Sequence, residues 1–350
     1  MKILVVGTGS YYQKRKAGLQ GEIVAFVDNF KKGVYEGKEI IHPAGVNKYI
    51  YDRIYIMSVH FISIGYQLLD LGVEKEKIYF GINLEPYNDF DRNFISDKNQ
   101  IVINEDNKIC YHTPEMDIAV NTFDELSNIR EIYGEHSYRF FVGRNDKKIV
   151  VMDIGANIAG ASVFFAQMRN VHAVYAYEPF KDTVQMAEYN IGKNVMAAQK
   201  VELIPCGLGV KEEKKKMEYN SDMTCGLSTL EHVSQKAFDM YKSWGMVNEE
   251  NSRECEIVIK DICLETERIV KKHTGCYLVI KMDCEGSEYG LVEKLHTSGL
   301  LKKVSILMLE WHYNGSRPIE KKLEDNNFAW FSFGKSEMLG TIYAINKERL

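Results

Sequence analysis

The chain has 350 residues, 45% hydrophobic and 27% charged, which suits about two domains, each able to bury a core. A formal net charge of -5, with basic residues scattered apart from short runs such as Lys211 to Lys216, argues against nucleic acid or an anionic membrane as a general partner. The uncharged stretch Ile54 to Leu69 carries Ser58, His60, Ser63 and Gln67 and falls short of the roughly 20 apolar residues of a membrane span.

The chain opens on a predicted strand, Lys2 to Val6, which leaves no room before it for a signal peptide. A short helix from Tyr11 follows, then strand Glu22 to Val27, extended Lys38 to Ile41, strand Arg53 to Met57, helix Phe61 to Leu71 and strand Lys77 to Phe80. This series predicts a Rossmann-like α/β unit over residues 1–82, ending near Pro86. Gly7 and Gly9 fall at its first turn and Asp28 lies nineteen residues beyond Gly9, but Tyr12 stands where GxGxxG has its third glycine. Two readings stay open: a nucleotide or sugar-nucleotide site, with Lys14, Arg15 and Lys16 near a diphosphate, or a packing or dimerisation module with those cations in water.

Residues 83–147 are expected to connect two domains. They contain a hairpin turning at Glu105 to Asn107 and a helix whose Phe123, Leu126, Ile129 and Ile132 would pack on the domain that follows.

A second alternating series fills residues 148–350. Its predicted strands are Ile149 to Met152, Ala173 to Tyr177, Val201 to Ile204, Cys255 to Ile259, Tyr277 to Met282 and Val304 to Leu309, then a hairpin of Phe328 to Phe333 with Gly340 to Ile345. Helices are expected near Ala159 and over Lys181 to Ile191, Ile262 to Lys271, Glu288 to Leu295 and Ile319 to Asp325. A mostly parallel sheet with an antiparallel edge hairpin binds ligands beyond the carboxyl ends of its strands, where Asp153, Glu178 and Asp283 fall. The seven cysteines form no CxxC pair, which suggests reduced packing residues in a cytoplasmic protein.

The strand ends carry the chemistry. In DIGANIAG, Gly155 permits a sharp turn and Asn157 supplies an amide, while Glu178, twenty-five residues after Asp153, sits where an acid accepts hydrogen bonds from a ribose. The alternatives are a turn-forming role alone for Gly155 and a helix cap after Pro179 for Glu178. Together the glycine turn and the delayed acid point to a ribose-bearing cofactor.

The succession VVMDIGANIAGASVFFA, VYAYEPF, VELIPCGLG, VIKMDCEGSEYGLVEKL and ILMLEWH resembles the FkbM-type family of S-adenosylmethionine-dependent methyltransferases, over residues 148 to about 345. That resemblance implies a seven-stranded Rossmann-like sheet and O-methylation of a hydroxyl, often on a sugar or glycan. It also implies Asp153, Gly155 and Asn157 around the methionine end of the cofactor, Glu178 at the ribose, and Cys206 and Gly207 near the adenine. Ala159 departs from the family, where many relatives carry glycine; its methyl group matters only if the backbone there has positive φ.

Methyl transfer to an alcohol needs a positioned acceptor and a route for its proton. Asp283 would lie near the transferring methyl if Cys255 to Ile259 is an accessory strand, and Glu285 would share its face if the extended backbone continues. Ser287 reads as an N-cap and Glu288 as a first-turn charge suited to the helix dipole. Glu310 and His312 reach the same sheet edge from the next strand, His312 as a base or simply as a strand-capping loop residue. Direct acid/base work or acceptor positioning is preferred to a divalent metal held by Asp283 with Glu310 or His312. Asp222 to Ser252 could form a lid over a small-molecule or glycan acceptor, with Phe238, Tyr241 and Trp244 more simply core than sugar platform. A non-catalytic nucleotide or nucleotide-sugar sensor is the rival reading, and homo-oligomer formation is left open.

Overall fold

The structure, a computed structural model, describes residues 1–84, 94–140, 147–245 and 247–349, so Pro86 lies outside the described residues. Two compact units divide after Glu135.

In the first unit six strands form one sheet in the order Gly33–Tyr35, Lys38–Ile41, Glu22–Val27, Lys2–Val6, Arg53–Ile56, Ile78–Phe80. Only the first pair is antiparallel. An antiparallel meander of Gln100–Ile103, Ile109–Thr113 and Met116–Ala119 follows; the third of these strands is added to the expected hairpin through the turn at Pro114 and Glu115. The helix expected to pack on the next domain, Phe123–Tyr133, instead falls inside this unit. Thr122 and Glu125 close a capping box at its start, Phe123 meets Phe61 edge to face, and Leu126, Ile129 and Ile132 are buried. Asp28 accepts hydrogen bonds from the Phe30 and Lys31 amides, both at 2.9 Å, so it ties its own turn.

The second unit is built on a seven-stranded sheet, its strands numbered in chain order: β1 Ile149–Ile154, β2 Val171–Tyr177, β3 Val201–Ile204, β4 Tyr277–Met282, β5 Ile306–His312, β6 Phe328–Gly334 and β7 Leu339–Asn346. Their spatial order is β3-β2-β1-β4-β5-β7-β6, parallel through β5 and antiparallel in the last two pairings. The helices are α1 Gly160–Gln167, α2 Lys181–Lys193, α3 Val195–Lys200, α4 Glu231–Ser243, α5 Ile262–Lys272, α6 Glu288–Thr297 and α7 Arg317–Asp325. Central strands read as apolar runs, broken in β1 by Asp153 and in β4 by Lys281, because both faces are covered; Met152, Ile280 and Leu307 are fully buried within one cluster. Each such side chain contributes about 1.5–3 kcal/mol relative to exposure.

The winding reverses between β1 and β4, which opens a crevice at the carboxyl ends of those strands. Ser252–Asp261, containing the fourth predicted strand, belongs to a separate three-stranded sheet with Gly207–Gly209 and Glu213–Asn220. Asp283 therefore follows the fourth strand of the main sheet. Among the described residues no helix is long and apolar enough to cross a membrane.

Candidate functional site

The β1–α1 turn is held by three left-handed residues, Gly155 at φ 75°, Asn157 at φ 49° and Ala159 at φ 66°. Ala159 thus occupies the conformation in which its methyl group does matter, at about 1–2 kcal/mol of local strain. A Cβ on Gly155 would stand 1.8 Å from the Asp283 carbonyl oxygen, so the glycine is required by the loop after β4 as well as by the turn itself. Asn157 donates through Nδ2 to the Thr224 carbonyl at 3.1 Å, and its Oδ1 accepts from the Ile158 amide at 2.6 Å.

Glu178, at the end of β2, accepts from the Asn157 amide at 3.0 Å and from the Phe180 amide at 3.1 Å. The second contact holds the amide of Phe180, the residue before α2, rather than an amide of the helix's first turn, and the first joins Glu178 to the glycine turn. Each oxygen retains a lone pair for a ligand hydroxyl. Burial raises its pKa to about 7, with the two amides opposing. Cys206 is buried, with its thiol pushed up to about 11 by desolvation. Beside it, a Cβ on Gly207 would lie 3.6 Å from Pro179 Cβ and 2.8 Å from Ile259 Cδ1.

Asp153 is fully buried and receives the Ser162 hydroxyl at 2.6 Å, while Lys281 Nζ stands 3.1 Å from its other oxygen. Lys281, 3% exposed, also donates to the Gly155 carbonyl at 2.7 Å and lies 3.9 Å from Asp283. Burial works against its charge, but Asp153 and Asp283 overcome that and hold its pKa above the ordinary lysine value. Lys281 went unassigned in the sequence, though a lysine inside an apolar strand, two before Asp283 and so on the same face, is a legible signal.

Asp283, Glu285 and His312 converge, with ligating atoms within 4.8 Å of one another. They do so by a route different from strand alternation: β4 ends at Met282, and Glu285 at φ 52° followed by Gly286 at φ 97° turns the chain back. His312 is the last residue of β5 rather than a loop residue, and only 6% exposed. Its Nε2 lies 3.5 Å from Glu285 and 3.9 Å from Asp283, while Nδ1 lies 2.9 Å from Glu288. Burial disfavours the imidazolium, yet Glu285, Glu288 and Asp283 outweigh it and hold the pKa well above the ordinary histidine value. The expectation of a base rested on the unperturbed imidazole value, which this setting raises. Glu285 is itself pushed up to about 8, chiefly by burial and despite His312.

Glu288 is more than a helix-start charge. It is fully buried, accepts from the Cys284 amide at 3.0 Å and fixes His312, so it ties α6 to the loop after β4 and to the end of β5. Ser287 makes no side-chain cap; its hydroxyl pairs with Thr229 at 2.9 Å. Glu310 shares a face with His312 but is engaged by Lys335 at 3.3 Å, outside the three-residue cluster. Tyr138, which no sequence signal connected to the site, donates to Asp283 at 3.1 Å and packs beneath Lys281, whose Nζ is 5.4 Å from the ring centroid. The Tyr343 hydroxyl fixes this segment by donating to the Ser137 carbonyl.

Helix α4 borders the cluster: Val233 lies 3.4 Å from a Cβ placed on Gly286, and Lys236 Nζ is 4.6 Å from the Tyr313 ring. Its other side lines a cavity of about 440 Å³ with Ser234, Gln235 and Phe238. Trp244, the residue that follows α4, is 60% exposed and so is not core.

A sequence profile described as the methyltransferase FkbM domain matches residues 153–332, 180 of the 350 positions. A second, described as C2185-like, N-terminal, matches residues 1–79. No curated protein matches the chain. Similar solved structures include methyltransferase FkbM from Methylobacillus flagellatus KT, at 13% identity over 98% of this chain and 89% of that one, TM-score 0.36. Precorrin-6y C5,15-methyltransferase from Geobacter metallireducens GS-15 aligns at 12% identity over 58% of this chain and 83% of that one, TM-score 0.30. TrmK of M. capricolum in complex with S-adenosyl-homocysteine aligns at 12% over 58% and 63%, TM-score 0.30. Likenesses of this order carry no inference about activity.

Proposed function

The chain belongs to the FkbM methyltransferase family, and from that premise we propose that its second unit is an S-adenosylmethionine-dependent O-methyltransferase acting on a hydroxyl of a sugar, sugar-nucleotide or glycan. The observation that carries this reading is the contact between Gly155 and the Asp283 carbonyl, which holds the turn suited to the cofactor against the loop suited to the acceptor.

The residues fit the cofactor. Glu178 has lone pairs for a ribose diol, and the β1–α1 turn of Asp153, Gly155 and Asn157 lies beside it through the Asn157 amide. Cys206 and Gly207, just beyond β3, border Pro179 and suit the base. When bound, S-adenosylmethionine supplies an electrophilic methyl, which bonds to the acceptor oxygen as the sulfur–carbon pair returns to sulfur.

Asp283, only partly exposed and held by Tyr138 and Lys281, orients the acceptor hydroxyl and takes its proton. Glu285 faces the same space, and His312, pinned by Glu288, offers Nε2 between the two carboxyl groups. Lys281 keeps Asp153 and Gly155 in place rather than meeting the acceptor. The segment Asp222 to Ser252, with α4 against Gly286, serves as the acceptor lid. In the first unit, a cavity of about 320 Å³ lined by Tyr11, Lys14, Arg15, Phe61 and Arg130 suits a nucleotide or sugar-nucleotide.

Isothermal titration of the full chain with S-adenosylmethionine tests the reading first: saturable binding is expected, and no binding would sink it. Transfer of a labelled methyl group to a panel of sugars and sugar-nucleotides then tests the acceptor class.

A further inference from the structure

We infer that Asp283, Glu285 and His312 form a binding site for one hard divalent cation, manganese or magnesium, at the acceptor end of the crevice. The inference rests on the methyltransferase reading for its purpose, but not for its geometry. The three side chains come from the loop after β4 and the end of β5, which meet only in the folded chain, and each offers one ligating atom within 4.8 Å of the others. Donors around an octahedral ion of this size stand about 3 Å apart. The Nε2 distances of 3.5 and 3.9 Å to Glu285 and Asp283 lie within an ångström of that spacing, within reach of small side-chain rotations.

An imidazole separates this arrangement from an ordinary acidic cluster. The His312 ring is 6% exposed and aimed into the space between the two carboxyl groups, and its Nε2 makes no hydrogen bond among the described residues. Its Nδ1 is engaged by Glu288, itself fully buried, at 2.9 Å. A carboxyl group fixing one ring nitrogen while the other faces a ligand is the outer support that metal-binding histidines use. Glu285 supports the same view, because its side chain has no hydrogen-bond partner among the described residues although it is only 18% exposed. Lys281 does not fill the space, being committed to Asp153 and the Gly155 carbonyl.

Two oxygen donors and one nitrogen on one side of an ion suit manganese or magnesium and leave the opposite positions for water and acceptor oxygens. Adjacent hydroxyls, as on a sugar ring, match such a pair of open positions. The acceptor class proposed above would then be selected by chelation.

The test is titration of the metal-free full chain with Mn²⁺, followed by electron paramagnetic resonance of the free ion, with S-adenosylmethionine affinity measured on the same samples. One Mn²⁺ per chain is expected, with Asp283→Asn and Glu285→Gln each weakening it at least tenfold and Glu288→Gln by about 10- to 100-fold. Glu285→Gln is the decisive variant, since glutamine keeps the side chain's size while removing the anionic donor. Wild-type binding weaker than about 1 mM, the limit of weak protein sites, overturns the inference, as do variants that bind like wild type. Cofactor binding without Mn²⁺ binding sinks the metal site alone; Mn²⁺ binding without cofactor binding sinks the methyltransferase reading alone.

Discussion

At the scale of single residues, Gly155 bears the tightest constraint, because the Asp283 carbonyl stands 1.8 Å from where a side chain would begin. Gly155→Ala is expected to destabilise the chain by on the order of 3 kcal/mol or more and to abolish cofactor binding, as urea denaturation and calorimetry would show. Asp283→Asn should leave cofactor affinity within a few-fold of wild type while turnover falls about 10²- to 10⁴-fold; unaltered turnover in a labelled-methyl assay would remove Asp283 from the chemistry. Glu178 gives a pH dependence. Its pKa is raised to about 7 in the fold, so its contribution to stability is full below the ordinary carboxyl value and is lost as pH rises to 7. A ribose diol favours the charged form, so cofactor affinity should rise with pH through 7 where stability falls. Glu178→Gln should flatten that component of both profiles, measured by calorimetry and denaturation across pH 5 to 8.

The strand-end acids were legible in the sequence because a parallel strand reads as an apolar run and the residue that breaks it must face the crevice. Glu285 was legible only as a candidate: its approach to His312 depends on a positive φ that no residue pattern announces. Tyr138 was not legible at all, since it reaches Asp283 across 145 positions of chain.

At the scale of elements, α6 shows how a correct assignment can miss a role. Its start at Glu288 was read from the sequence, but the burial of that side chain against β5 depends on how the helix seats on the sheet. Glu288→Gln, which weakens the bonds to the Cys284 amide and to His312, should lower stability by about 1–3 kcal/mol and reduce turnover, as denaturation and rate measurements on one preparation would reveal. The order of the seven main-sheet strands follows the same division: which segments are strands was visible, whereas the removal of Ser252–Asp261 to another sheet follows from its pairing with Glu213–Asn220.

At the scale of the whole molecule, every side chain assigned to cofactor or acceptor lies in the second unit, from Tyr138 onward. The cavity of the first unit, with Lys14 and Arg15 on its lining, is a separate question. Lys14→Glu in the full chain should leave S-adenosylmethionine affinity unchanged and weaken any nucleotide-sugar that titrates with the wild type. A change in cofactor affinity would show that the units do not divide the work in this way.

The seating of the Asp283 carbonyl against Gly155 has a consequence for descent and for engineering. Neither loop can be transplanted from a relative by itself, because each supplies the shape the other is moulded on. A chimera made to change the acceptor must carry the segments after β1 and β4 as one graft, and substitutions in the two should arise together across related chains.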